Sequence, residues 1–345
     1  MRGRRNACRI DLLNCSSVFE NPRELGSEQH AFGLGEFDPC EAREAQEIVR
    51  AEIGGHGTIL TFHSLREAAM NVRPAAVAGT WYPGTPGALT REVDGYLEAA
   101  GEETAGDIRA VIAPHAGIMF SGPVAAHAYK AAARQRYDLV VLVGPSHFAG
   151  FDGVALYPDG AFDSPLGPAQ VDDAAARVAQ SFPVVHASAA PHRREHSLEM
   201  QLPFVRRLMP EATILPLLMG YQTRDTIEEL AIALTGICQD RQCLIVASSD
   251  LSHYFDVRTA ARLDGEVQAA VAAFDVDGFL DLFERYPEHE RGRYVACGGG
   301  PAIAVMRAAH ALGARSGRVL KYGHSGDISG DYDGVVGYMA AAFLA

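Results

Sequence analysis

From Val72 to the C-terminus, short Val/Ile/Leu runs alternate with alanine-rich stretches whose apolar positions recur at helical spacing. The runs IRAVIAP, DLVVLVGP, GVALYP, ATILPLLMG, QCLIVASS, GRVLKYG and GVVGYMAAAFL predict strands. Between them GALTREVDGYLEAA, GPVAAHAYKAAARQ, VDDAAARVAQSF, SLEMQLPFVRRLM, RDTIEELAIALTGIC, LDGEVQAAVAAF and PAIAVMRAAHALG predict helices. Near-continuous apolar strands imply burial on both faces, so the expected fold is α/β: a mainly parallel or mixed central sheet flanked by helices. Residues 1–69 contain a possible helix in CEAREAQEIVRAEI but no sustained periodicity.

Three of the predicted strands run into polar chemistry. VIAPHAGIMFSG carries His115, DLVVLVGPSHFAG carries His147, and QCLIVASSDLSHY carries Asp250 and His253. In parallel α/β sheets ligands bind beyond the carboxyl ends of the strands, so these four residues are candidates for one cleft. A fourth stretch, PHRREHSLEMQLPF, sets His192, Glu195, His196 and Glu199 just before a predicted helix. There His196 is the candidate to face the cleft, whereas His192 reads as a solvated loop residue. His127 and His310 read as helix residues without a site role.

Cys297 lies in YVACGGGPAIAVM, where a glycine-rich turn leads into a helix; the helix dipole and free N–H groups favour a thiolate there. The other cysteines are widely spaced, with no CxxC pair, and Cys238 and Cys243 read as small core residues. Imidazoles and a thiolate supplied by separate loops suit late first-row metals, although spacing alone leaves Fe, Zn and Cu open. No HExxH, P-loop, GxSxG or GxGxxG pattern competes. A net charge of -13 over 345 residues gives no basic stripe for nucleic acid. No apolar run approaches the length of a membrane span, and the expected location is cytoplasmic.

Taken in order, VRPAAVAGTWYPG, APHAGIMFSGPVAAHAY, VVLVGPSHFAGFDGVAL, EHSLEMQLPF, SSDLSHY and ACGGGPAI resemble the signature segments of the Memo family, which includes the B component of the AmmeMemoRadiSam set. The likeness spans Val72 to the C-terminus. It implies a fold similar to class III extradiol dioxygenases. It also implies an iron or copper site made by His115, His147 and Cys297, with Asp250 and His253 beside it and Trp81 at the cleft wall. A thiolate in place of the dioxygenase carboxylate puts ring cleavage in doubt, and Gly298 and Gly299 are expected to open the pocket floor.

Two functions follow as expectations. One is a non-heme metal-dependent oxidoreductase in which His253, oriented by Asp250, and His196 handle protons. The other is a non-catalytic cleft that binds a small-molecule, phosphorylated or aromatic peptide ligand, with Trp81 stacking. The resemblance also implies functional association with radical SAM and AMMECR-type proteins. Residues 1–69 have no counterpart in the family pattern and are expected to be a poorly packed upstream extension, with 70–345 as a single domain beginning at Met70.

Overall fold

The computed structural model describes residues 71–101 and 106–345; the expectations for residues 1–69 and for a start at Met70 lie outside them. In chain order the elements are β1 (Val72–Arg73), α1 (Pro86–Ala99), β2 (Ile108–Ala113), α2 (Ile118–Ala132), β3 (Leu139–Pro145), β4 (Val154–Leu156), β5 (Ala161–Phe162), β6 (Ala169–Gln170), α3 (Asp173–Ala179) and β7 (Val185–Ala187). There follow α4 (Leu202–Leu208), β8 (Thr213–Met219), α5 (Arg224–Cys238), β9 (Cys243–Ser248), β10 (His253–Phe255), α6 (Val257–Ala273), α7 (Val276–Glu284), α8 (Glu288–Tyr294), α9 (Gly299–Ala311), β11 (Ser316–His324), α10 (Gly326–Ser329) and β12 (Val335–Leu344).

The main sheet is mixed, in the order β10-β12-β2-β9-β3-β8-β4-β7, with β11 paired to β12. Its centre, β2-β9-β3-β8, is parallel, with Ala113 opposite Ser248 and Pro145 opposite Met219. The flanks depart from this: β12 runs antiparallel to β2, β10 and β11, and β4 antiparallel to β8. Strand periodicity explains the two cores. Ile112, Val141 and Ile245 point into a layer with α5, α6, α7 and α9, whereas Val111, Leu142 and Val246 point into one with α1, α2 and α4. Both layers are apolar, which is why these strands read as continuous runs rather than alternating ones.

The predicted helix SLEMQLPFVRRLM is broken. A 3-10 turn at Glu199–Gln201 precedes α4, whose first turn accommodates Pro203 because no intrahelical N–H bond is needed there. Helices α7 and α8 were not legible as elements, and neither were the short strands β1, β5, β6, β7 and β10. The expected opening of the pocket floor is also corrected. A Cβ at Gly298 would lie 2.3 Å from Ser248 O, and one at Gly299 would lie 2.3 Å from a Phe283 ring carbon. These glycines let the start of α9 pack against the end of β9 and against α7.

Candidate metal centre

Because β2, β3, β8 and β9 are parallel, the loops after them share one edge of the sheet. They bring His115, His147, Gln222 and Asp250 together, and the turn before α9 adds Cys297. The Cys297 Sγ is 3.2 Å from His115 Nε2. One ligand atom from each of His115, His147 and Cys297 fits within 4.8 Å of the others. A tetrahedral ion with bonds of about 2.0–2.3 Å holds its ligand atoms about 3.5 Å apart, so this set fits a small late transition metal.

The hydrogen bonds decide which ring nitrogens face that point. Ser248 Oγ donates to Ser197 O at 2.6 Å and accepts from Gln201 Nε2 at 2.7 Å. Having spent its one proton, it accepts from His115 Nδ1 at 2.9 Å, so His115 Nε2 is the nitrogen left to face Cys297 and to offer its lone pair to a bound metal. Gln201 is itself fixed by Tyr129, whose hydroxyl donates to Gln201 Oε1 at 2.8 Å. His147 is set in the same way: its Nδ1 donates to Glu195 Oε1 at 2.9 Å and its backbone N–H to Glu195 Oε2 at 2.6 Å. Such partners orient metal-binding imidazoles and raise their basicity.

Glu195 also accepts from His196 N and Ser197 N, each at 2.9 Å. Its oxygens are therefore occupied by N–H donors, and the nearby trio His147, Glu195 and His196 reads as support for the centre rather than as a second ligand set. Burial opposes the charge on Glu195, but the His147 and His196 rings outweigh it and hold the carboxyl well below the usual carboxylate range. Burial likewise pushes the Cys297 thiol up; the His115 imidazole, followed by a bond to His147, overcomes this and brings it to about 6. Without a metal, the Cys297 thiolate is thus favoured at neutral pH, with a proton held between it and the rings where a metal would bind. Burial pulls His147 down, yet its bonds to Cys297 and Glu195 carry it well above the usual imidazole value.

The remaining candidates fall around this centre. The His196 ring lies 4.6 Å from His147, stacked, and 4.3 Å from Trp81; burial holds it neutral, well below its usual value. Asp250 Oδ1 accepts from His115 N at 2.7 Å and Ala116 N at 3.3 Å, so the carboxylate holds the His115 turn. The expected orientation of His253 by Asp250 is not a direct bond: His253 Nδ1 is buried without a hydrogen-bond partner. Burial lowers the His253 pKa, and the charge on Asp250 only partly restores it. His192 is corrected from solvated to buried, its Nε2 3.1 Å from Ala155 O, and burial holds it down at about 4. His310 is exposed in the last turn of α9.

Sequence reasoning passed over the framework beneath these groups. Arg73 and Glu199, both buried, pair at 2.6 Å. Arg73 also donates to His192 O at 2.6 Å and to Glu195 O, which anchors the segment bearing Glu195. Glu199 accepts from Ala76 N, Val77 N and the Tyr82 hydroxyl, which anchors the segment bearing Trp81. Gln222 Nε2 donates to Cys297 O at 2.7 Å while its Oε1 caps Gly300 N at 2.8 Å. The signal for Arg73 was a single charge within the otherwise apolar segment VRPAAVAG, whereas Glu199 was one of several polar residues in its own segment.

The model of the Memo-like protein family matches residues 73–342. The chain belongs to that family. A MEMO1 family protein of Methanopyrus kandleri is 36% identical over 286 residues, spanning 79% of this chain and 98% of the relative. One from Nitrosopumilus maritimus is 34% identical over 281 residues, spanning 79% and 100%. The crystal structure of an uncharacterized Escherichia coli K12 protein aligns over 69% of this chain and 100% of its own at 14% identity, with a TM-score of 0.47.

Proposed function

We propose that this Memo-family chain holds an iron or copper ion between His115, His147 and Cys297 and works as a metal-dependent, dioxygenase-like oxidoreductase on a small-molecule or peptide ligand. The carrying observation is the fixed tautomer of both rings: each imidazole commits its Nδ1–H to an acceptor, Ser248 or Glu195, and turns Nε2 toward the thiolate. Bound there, such an ion would supply Lewis acidity and one-electron chemistry with open coordination positions. Asp250 keeps the His115 turn in place. His196, neutral and tilted against Trp81, moves protons at the cleft wall, with His253 as the second such group. The proposed setting is cytoplasmic, in association with radical SAM and AMMECR-type proteins; among the described residues no helix is long and apolar enough to cross a membrane.

Trp81 is the chain's single tryptophan, so its fluorescence reports on this cleft directly. Anaerobic titration with Fe(II) or Cu(I) is expected to quench it and to load one ion per chain. His115→Ala, His147→Ala and Cys297→Ala should each lose the metal, while His310→Ala should retain it. Full metal content in all three site variants would overturn the reading. A second reading, a non-catalytic cleft for an aromatic or phosphorylated peptide, draws on the exposure of Phe148 (46%), whose ring lies 5.9 Å from that of His196 beside Trp81. Tight peptide binding by metal-free protein, undisturbed by Cys297→Ala, would favour it.

A further inference from the structure

Helix α6 interrupts its own pattern. Ala260, Leu263, Val267 and Val271 form its buried apolar stripe, and Asp264 stands inside that stripe, fully buried. Two donors from distant parts of the chain occupy its oxygens: Oδ1 accepts from Ser252 N at 3.0 Å and Oδ2 from the Tyr322 hydroxyl at 2.8 Å. Burial pushes its carboxyl above the usual range, and the bond from Ser252 N with the other donors offsets this only in part. Gly337 of β12 leaves room for the reach, since a Cβ there would lie 2.0 Å from Asp264 Oδ2. A carboxylate buried against neutral donors gives up its hydration, so an apolar residue in the stripe would satisfy the packing of α6 more easily.

What Asp264 holds is the entry to β10. Ser252 is itself fully buried, so its N–H needs an acceptor, and Asp264 supplies it. The next residue is His253, the first of a three-residue strand. Pairing with β12 shifts register between His253 and Phe255, and Tyr254 between them sits in the left-handed region at φ 61°, a conformation that persists only where the surroundings enforce it. On the β12 side, Leu251 N donates to Gly337 O at 2.8 Å and Gly337 N to Ser252 O at 2.9 Å. We propose that Asp264 is a positioning residue for His253: by accepting the Ser252 N–H it locks the turn that presents the imidazole to the cleft. This rests on the reading of His253 as a proton-handling group, and it involves no contact between Asp264 and the metal ligands. Gly337 admits the carboxylate, and Tyr322 fixes its rotation.

The test follows the ring nitrogens of His253 by NMR in the full chain with labelled histidine, assigned through His253→Gln; it needs neither metal nor substrate. In the wild type burial should hold the His253 midpoint below the ordinary imidazole value, with Asp250 restoring it in part and His147 opposing that. In Asp264→Ala the turn loosens and water reaches the ring, so the midpoint should rise toward about 6.5, an increase of about threefold or more in proton affinity, while exposed His310 titrates as before. Asp264→Asn keeps an acceptor for Ser252 N and should retain the wild-type midpoint. Tyr322→Phe should move it in the same direction as Asp264→Ala, by less. If Asp264→Ala is folded by circular dichroism yet leaves His253 unmoved, or if Asp264→Asn moves it as far, the proposal fails. Should Asp264→Ala not fold, an unmoved His253 in Tyr322→Phe overturns it. Fe(II) loading of the wild type, read separately from Trp81 fluorescence, tests the metal centre alone, so a failure there is distinguishable from a failure here.

Discussion

The two edges of the parallel strands treat sulfur differently. At the carboxyl edge, Cys297 lies against two imidazoles whose other nitrogens are committed elsewhere, and its thiol falls to about 6. At the amino edge the neighbouring Cys243 thiol, together with burial, pushes Cys238 up while Cys243 goes down. Burial opposes ionisation at both edges, so burial does not distinguish them. What differs is the neighbour: imidazole rings at one edge, a second thiol at the other. The supports differ too. The carboxyl edge rests on the buried Arg73–Glu199 pair, the amino edge on the partly exposed Arg241–Asp172 pair at 2.8 Å.

That contrast breaks first at Arg73. Arg73→Met leaves the Glu199 carboxylate buried without its guanidinium and should cost about 3–5 kcal/mol by urea unfolding. A loss below about 1 kcal/mol would mean that backbone donors alone hold this edge. Next, Glu195→Gln keeps the shape but removes the charge facing His147. It should weaken the metal affinity read from Trp81 fluorescence about 10–100-fold with little change in unfolding; unchanged affinity would show that Glu195 does not tune the centre.

Acidity gives a third test. In metal-free protein the Cys297 thiolate is present above about 6 and is lost as pH falls through that value. Its alkylation by iodoacetamide should therefore rise about tenfold between roughly pH 5 and 7, and His115→Ala should move that rise toward the ordinary cysteine range near 8.5. A wild-type midpoint already near 8.5 would mean that the imidazoles do not reach the thiol. At the amino edge, the bond to Arg241 overcomes partial burial and holds the Asp172 carboxyl well below its usual range, and Asp172 also caps α3 through Ala175 N. Its folded pKa being depressed, its stabilisation is complete above the unfolded value of about 4 and fades as pH falls below it. Asp172→Asn should cost about 0.5–2 kcal/mol at pH 7, with the gap to wild type closing in acid. The smallest effect is expected for exposed His310→Ala, within about 0.5 kcal/mol of wild type.

The central strands and most helices were legible because burial on both faces writes continuous apolar runs and because helix periodicity is local. Family likeness added the set of His115, His147 and Cys297. The short strand β10, which carries His253, could not be read: it has three residues and none fully buried, and it is held by pairing with Val335 and Val336, some eighty residues away. His192 was misjudged for a related reason. A polar run around it reads as surface, yet Arg73, over a hundred residues earlier, closes over its carbonyl.

By itself the sequence determined where chains of apolar residues stop, and hence that polar groups follow β2, β3 and β9. It did not determine which ring nitrogen would face Cys297, nor that Asp250 would hold the His115 backbone rather than His253. Those outcomes belong to Ser248, Gln201 and Glu195, each meeting its imidazole across at least 48 positions or through a third residue. A tautomer depends on which acceptor lies within hydrogen-bond distance, and for partners so far apart in the chain only the parallel pairing of β2, β9 and β3 and the packing of the loops beyond them set that distance.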